Sequence, residues 1–122
     1  MPKTRLYIIE EHDGVRSALV ERLNRSPVVE VVGHSGEADR AMSAIEELEP
    51  DIIVVEVKRS DGLGLEILRI LSTRESPPQL VVLTSYPSFW ERDAAFRAGA
   101  CSYLVKSLDT EELILHLVDL LQ

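Results

Sequence analysis

Asp51-Ile52-Ile53-Val54-Val55-Glu56 places four consecutive β-branched residues between two carboxylates. A short unbroken apolar run of this kind is what a strand covered on both faces requires. Earlier in the chain, Leu6-Tyr7-Ile8-Ile9-Glu10-Glu11 repeats the arrangement, an apolar run closing on acidic residues. If the two runs are neighbouring parallel strands, Glu10, Glu11 and Glu56 meet at one edge of one sheet.

The residues on either side continue the alternation. Asp13 is placed to cap a helix over 14–25, where Val15, Leu19, Val20 and Leu23 recur at helical spacing. Residues 28–32 read as a strand closed by Gly33. A helix over 37–48 stops before Pro50. After the strand at 52–55, residues 57–62 form a loop, and Leu65, Ile67, Leu68 and Leu71 mark a helix over about 64–74. Pro77 and Pro78 precede a strand at 80–83. Ser88 caps a helix that ends at Gly99, residues 103–105 form the last strand, and Asp109 opens a final helix over 110–121. Five strands alternating with five helices predict a parallel sheet with helices on both faces. In such sheets, binding and reacting groups collect beyond the carboxyl ends of the strands. Glu10, Glu11, Glu56, Thr84 and Lys106 all fall there.

Composition narrows the function. The chain has 122 residues, enough for a single domain with one core, and a formal net charge of -8 from 13 basic and 21 acidic residues. That charge disfavours direct binding of nucleic acid or an anionic membrane. A lone cysteine, Cys101, permits no internal disulfide, and no stretch has transmembrane length, so a cytoplasmic location is expected. The chain reads as one domain over 1–122, either a whole small protein or the N-terminal part of a longer regulator. The glycines at 62–64 and 33–36 lack the spacing of a dinucleotide fingerprint or a phosphate-binding loop. His12, His34 and His116 lack metal-ligand spacing and are expected at the surface. Cys101 is expected as a small core residue, and Arg59 as an exposed loop arginine.

The motifs EEHDGVR at 10–16, EPDIIVVE at 49–56, GLE at 64–66, VVLTS at 81–85 and AGACSYLVKS at 98–107 together resemble the receiver domain of two-component response regulators. The resemblance runs along essentially the whole chain. VVEVVGHSGEADRAM at 28–42 and YLVKSLDTEEL at 103–113 are similar to the receivers of the family that includes nitrate-responsive transcription regulators. The resemblance implies a flavodoxin-like (βα)5 fold, three layers deep, with sheet order 2-1-3-4-5. It implies a non-enzymatic signalling module that meets a protein partner or an attached output domain through the helix 4, strand 5 and helix 5 surface. A homodimer is compatible with that surface.

Residue by residue, Glu10 and Glu11 match an acidic pair that helps hold magnesium, and Lys58 matches the loop residue whose carbonyl joins the metal. Glu56 matches the phosphate-accepting aspartate, Thr84 and Lys106 match the residues that bind phosphoryl oxygens, and Tyr103 matches the aromatic that moves with Thr84. The chain departs from the pattern at this site. Both members of the pair are glutamates, Glu56 replaces aspartate, Arg59 and Ser60 replace the usual methionine and proline, and Ser107 replaces a proline. In-line phosphoryl transfer needs tight positioning, and one extra methylene moves a carboxylate by about 1 Å, a displacement that costs roughly a hundredfold in rate. An atypical receiver, working without conventional aspartate phosphorylation and without a required cofactor, is therefore expected. Three roles stay open for Glu56: a plain ion pair with Lys106, a partial phosphate mimic reaching Lys106 and Thr84, or a magnesium-dependent acceptor with Glu10, Glu11 and Lys58. A small-cofactor carrier on the same fold is the minor alternative.

Overall fold

The computed structural model describes residues 2–122. Strands β1 (Thr4–Ile9), β2 (Val29–Ser35), β3 (Ile52–Val55), β4 (Gln79–Thr84) and β5 (Ser102–Val105) alternate with helices α1 (Asp13–Asn24), α2 (Ala38–Leu48), α3 (Gly64–Ser72), α4 (Phe89–Ala98) and α5 (Thr110–Asp119). All pairings are parallel, in the order β2-β1-β3-β4-β5. The three-layer (βα)5 architecture and its strand order are those expected.

The pleat divides the core in two. Leu6, Ile8, Ile52, Val54, Val81 and Leu83 project to one face, where Leu19 and Leu23 of α1 and Leu113 and Leu117 of α5 cover them. Tyr7, Ile9, Ile53, Val55, Leu80 and Val82 project to the other, against α2, α3 and α4. β3 is central and all four of its residues are buried, which is why its sequence carries no alternation.

Several boundaries differ from the sequence reading for identifiable reasons. Gly33 does not close the second strand but lies within it. The β1–β2 register shifts between Leu6 and Tyr7, and the Tyr7 ring packs so closely that a Cβ at position 33 would lie 2.7 Å from it. Asp13 begins α1 instead of capping it; His12 is the N-cap and makes no side-chain capping bond. Asp13 accepts a hydrogen bond from Arg16 instead. Ser88 caps α4 by accepting from the Glu91 N–H, and α4 ends at Gly99. Cys101 is exposed, its thiol donating to the Leu80 carbonyl at 3.3 Å. It stands just before β5, outside the alternation that buries Ser102. His12 and His34 are exposed, whereas His116 is partly buried and bonded to Ser102 Oγ. Among the described residues no helix is long and apolar enough to cross a membrane.

Candidate functional site

Glu10 and Glu56 follow the last residues of β1 and β3, and the ladder continues through them: the Glu56 N–H donates to the Ile9 carbonyl at 3.1 Å. Ile9 pairs with Val55, so the two carboxylates leave adjacent strands side by side. Lys106 follows β5, its N–H donating to the Thr84 carbonyl at 2.8 Å. Strand parity sends Glu10, Glu56 and Lys106 to the α1/α5 face, and Thr84 and Tyr103 to the α3/α4 face.

The consequence is two clusters instead of one. In the first, Lys106 Nζ donates to Glu10 Oε1 at 2.5 Å and to Glu56 Oε1 at 3.2 Å. Glu10 is only 1% exposed and Glu56 6%, and two such carboxylates need a counter-charge and hydrogen bonds to tolerate burial. Lys106 supplies the charge, while the N–H groups of His12 and Lys58 donate to Glu10 Oε2 and Glu56 Oε2. The Lys106 carbonyl is in turn held by Arg22 Nη1 at 3.0 Å, and the same guanidinium donates to the Leu108 carbonyl and Thr110 Oγ1. Arg22 therefore fixes the loop that carries Lys106.

The second cluster is organised by the side chain of Lys58, a residue expected to contribute only its carbonyl. Lys58 Nζ donates to Thr84 Oγ1 at 3.1 Å, to the Tyr86 carbonyl at 2.7 Å, and to both Glu91 oxygens at 2.7 Å. Thr84 is fully buried and also accepts from the Tyr86 N–H. The Tyr103 hydroxyl donates to Glu91 Oε1 at 2.6 Å and accepts from the Ser88 N–H. Ser88 and Glu91 have capping-box spacing, but the phenol stands between the glutamate and the N-cap N–H that such a box joins directly. That spacing is the one sequence signal that marks Glu91.

Burial, reinforced by the bond to Glu91, pushes the Tyr103 phenol up to about 12 from its ordinary 10.0. The folded protein thus holds this proton where the unfolded chain releases it. The stabilisation is complete below pH 10 and is lost as pH rises through about 12. In Glu91→Gln the carboxylate contribution disappears while burial persists, so Tyr103 is expected to titrate below wild type yet above 10.0. The difference in phenolate absorbance between the two proteins checks this; coincident curves would show that Glu91 does not act on the phenol.

Glu11 turns away from both clusters. Its carboxylate accepts from Ser60 N at 2.8 Å and Ser60 Oγ at 2.7 Å, and the Ser60 hydroxyl bond, followed by the backbone bond, holds it below the usual carboxylate range. Arg59, expected to be exposed, has a side chain only 2% exposed. It donates to the Gly36 carbonyl and to Asp61, leaving Nη1 buried without a hydrogen-bond partner. The β3–α3 loop is thereby tied to the β2–α2 loop.

Magnesium, implied by the resemblance, would need the oxygens of Glu10, Glu11, Glu56 and the Lys58 carbonyl to converge in near-octahedral geometry. Here Glu11 is engaged by Ser60, and an ammonium lies between Glu10 and Glu56. Among the described residues no three His, Cys, Asp or Glu are grouped where a metal ion could be held. In this arrangement the residues do not fit the ion.

A parallel (βα)5 sheet with carboxylates, a threonine and a lysine at its carboxyl edge defines a regulatory receiver architecture. The family model for the response regulator receiver domain matches residues 6–118, and the chain belongs to that family, whose members are signalling modules and not enzymes in the usual sense. It is 35% identical over 109 residues to the DNA-binding transcriptional activator DevR/DosR of Mycobacterium tuberculosis, covering 89% of this chain and 50% of that protein. Identity to the transcriptional regulatory protein LiaR of Bacillus subtilis is 29% over 109 residues, covering 89% of this chain and 52% of that one. The chain thus spans about half the length of these curated relatives. Among solved structures, a LuxR-family response regulator from Aurantimonas sp. SI85-9A1 superposes with a TM-score of 0.88 at 26% identity, covering 98% of this chain and 85% of the other.

Proposed function

We propose that this chain is the receiver of a longer cytoplasmic regulator and controls an attached output domain or a separate protein partner without conventional phosphorylation. The observation that carries this reading is Lys106 enclosed between Glu10 and Glu56. The ammonium supplies the counter-charge that a metal ion would otherwise give these acidic residues, and Glu56 is engaged by it. Thr84 is engaged by Lys58 instead of by Glu56, so the ion-pair role accounts for Glu56 better than a phosphate mimic reaching both residues. No magnesium is required in this reading. A magnesium-dependent acceptor built on Glu56, with Glu10, Glu11 and the Lys58 carbonyl around the metal, is the competing mechanism.

The names of the relatives, a DNA-binding transcriptional activator and a transcriptional regulatory protein, support transcriptional control as the process. The stretches at 28–42 and 103–113 point to the nitrate-responsive type of regulator. DNA contact would belong to an output domain, because this domain carries a net charge of -8. The partner surface is α4, β5 and α5, through which two copies could also pair. Tyr86, Phe89 and Trp90, at 76%, 75% and 82% exposure, support it.

Incubation with magnesium and a small acyl phosphate, followed by acid quench and intact-mass measurement, separates the mechanisms. No phosphate increment is expected. An increment present in the wild type and absent from Glu56→Ala would replace this reading with the magnesium-dependent acceptor.

A further inference from the structure

Lys58 is distinctive because one ammonium touches three separate pieces of the fold. From the β3–α3 loop it reaches the end of β4 at Thr84, the β4–α4 loop at the Tyr86 carbonyl, and the first turn of α4 at Glu91. Through Glu91 it is joined to Tyr103 of β5. An isolated surface ion pair contributes little. This one is embedded in a network in which Glu91 is largely buried and every donor of the ammonium has a partner.

The turn that Lys58 holds carries exposed Tyr86 and leads into the exposed Phe89 and Trp90 at the start of α4. Tyr86, Phe89 and Trp90 flank the Ser88 cap, with Phe89 and Trp90 edge to face at 6.3 Å between ring centres. Without Lys58, Glu91 would retain only the phenol and the Tyr86 carbonyl would lose a charged donor. The short segment 85–88 would then be fixed chiefly by its N–H bonds to Thr84 Oγ1 and Tyr103 Oη.

We propose that Lys58 is a cationic staple that sets the conformation of the β4–α4 turn and of the aromatic residues that flank it. The proposal rests on the reading of the site as a regulatory module that works without phosphoryl transfer. It adds a residue that positions the partner surface.

Amide hydrogen exchange in the intact protein tests it with Lys58→Met, Lys58→Gln, Glu91→Gln and the double variant Lys58→Met/Glu91→Gln. Each single variant is expected to raise exchange at the Tyr86, Ser88 and Glu91 amides about tenfold, as loss of a charge-assisted bond implies. Amides of α1 and β1 should stay as in wild type. The double variant should add little to either single change, because both remove one shared interaction. Unchanged exchange at the three amides overturns the staple, as do fully additive effects or a rise spread equally over α1 and β1. The acyl-phosphate mass measurement on the same samples separates the two ideas. A phosphate on Glu56 with the exchange response intact removes only the phosphorylation-independent reading, whereas no phosphate and no exchange response removes only the staple.

Discussion

Lys106→Met is expected to lower folding stability at neutral pH by about 3–5 kcal/mol, the usual cost of stranding a buried charge by removing its partner. Met keeps the length of the side chain, so the loss is electrostatic more than volumetric. Two carboxylates share this one ammonium, and the backbone N–H groups of His12 and Lys58 that remain satisfy only one oxygen on each. Urea unfolding measures the loss. Adding Glu10→Gln and Glu56→Gln to Lys106→Met should recover most of it, since neutral amides no longer require a counter-ion. If Lys106→Met is as stable as the wild type, the ammonium is not what makes burial of Glu10 and Glu56 tolerable. The role assigned to Glu56 would go with it.

Gly64→Ala is expected to be the other severe change, costing about 3 kcal/mol, the upper end of the range for overpacking. A Cβ at position 64 would lie 2.1 Å from the Val57 carbonyl oxygen and 2.6 Å from Val57 Cα. These are backbone atoms and cannot turn aside as the end of a flexible side chain can. Relief requires moving Val57, which lies between Glu56 and Lys58, so both clusters would be disturbed together. Gly14→Ala is the matched control. Position 14 lies within α1 with nothing within 4 Å of its added Cβ, and alanine there should stabilise by about 0.5–1 kcal/mol. Equal urea midpoints for the two variants would show that the β3–α3 loop moves freely enough to accept a side chain.

The order of strands and helices was legible in the sequence because each element carries its own periodicity and its own stop. The unbroken run at 52–55 marked a central strand, Ser88 and Gly99 bounded α4, and Asp109 capped α5 by accepting from the Glu111 N–H. Gly33 misled because a glycine inside a strand looks like a strand end until the ring packed against it is known. Cys101 misled because its apolar character suggests a core, while its place one residue before β5 puts it outside. Arg59 misled because an arginine in a polar loop is normally solvated; only the meeting of two loops encloses it, with Asp61 and the Gly36 carbonyl as partners.

The sequence alone was enough for the parallel sheet and for the strand ends at which Glu10, Glu56, Thr84 and Lys106 stand. Those features follow from backbone geometry and burial, which short stretches of sequence encode. Packing of the folded chain chose the pairings: Lys106 with Glu10 and Glu56, Lys58 with Thr84 and Glu91, and Glu11 with Ser60. Lysine and glutamate side chains have several torsions and can reach any of several partners at such an edge. The choice among them is made by loops and a helix distant in sequence, and is fixed once those pieces are packed together.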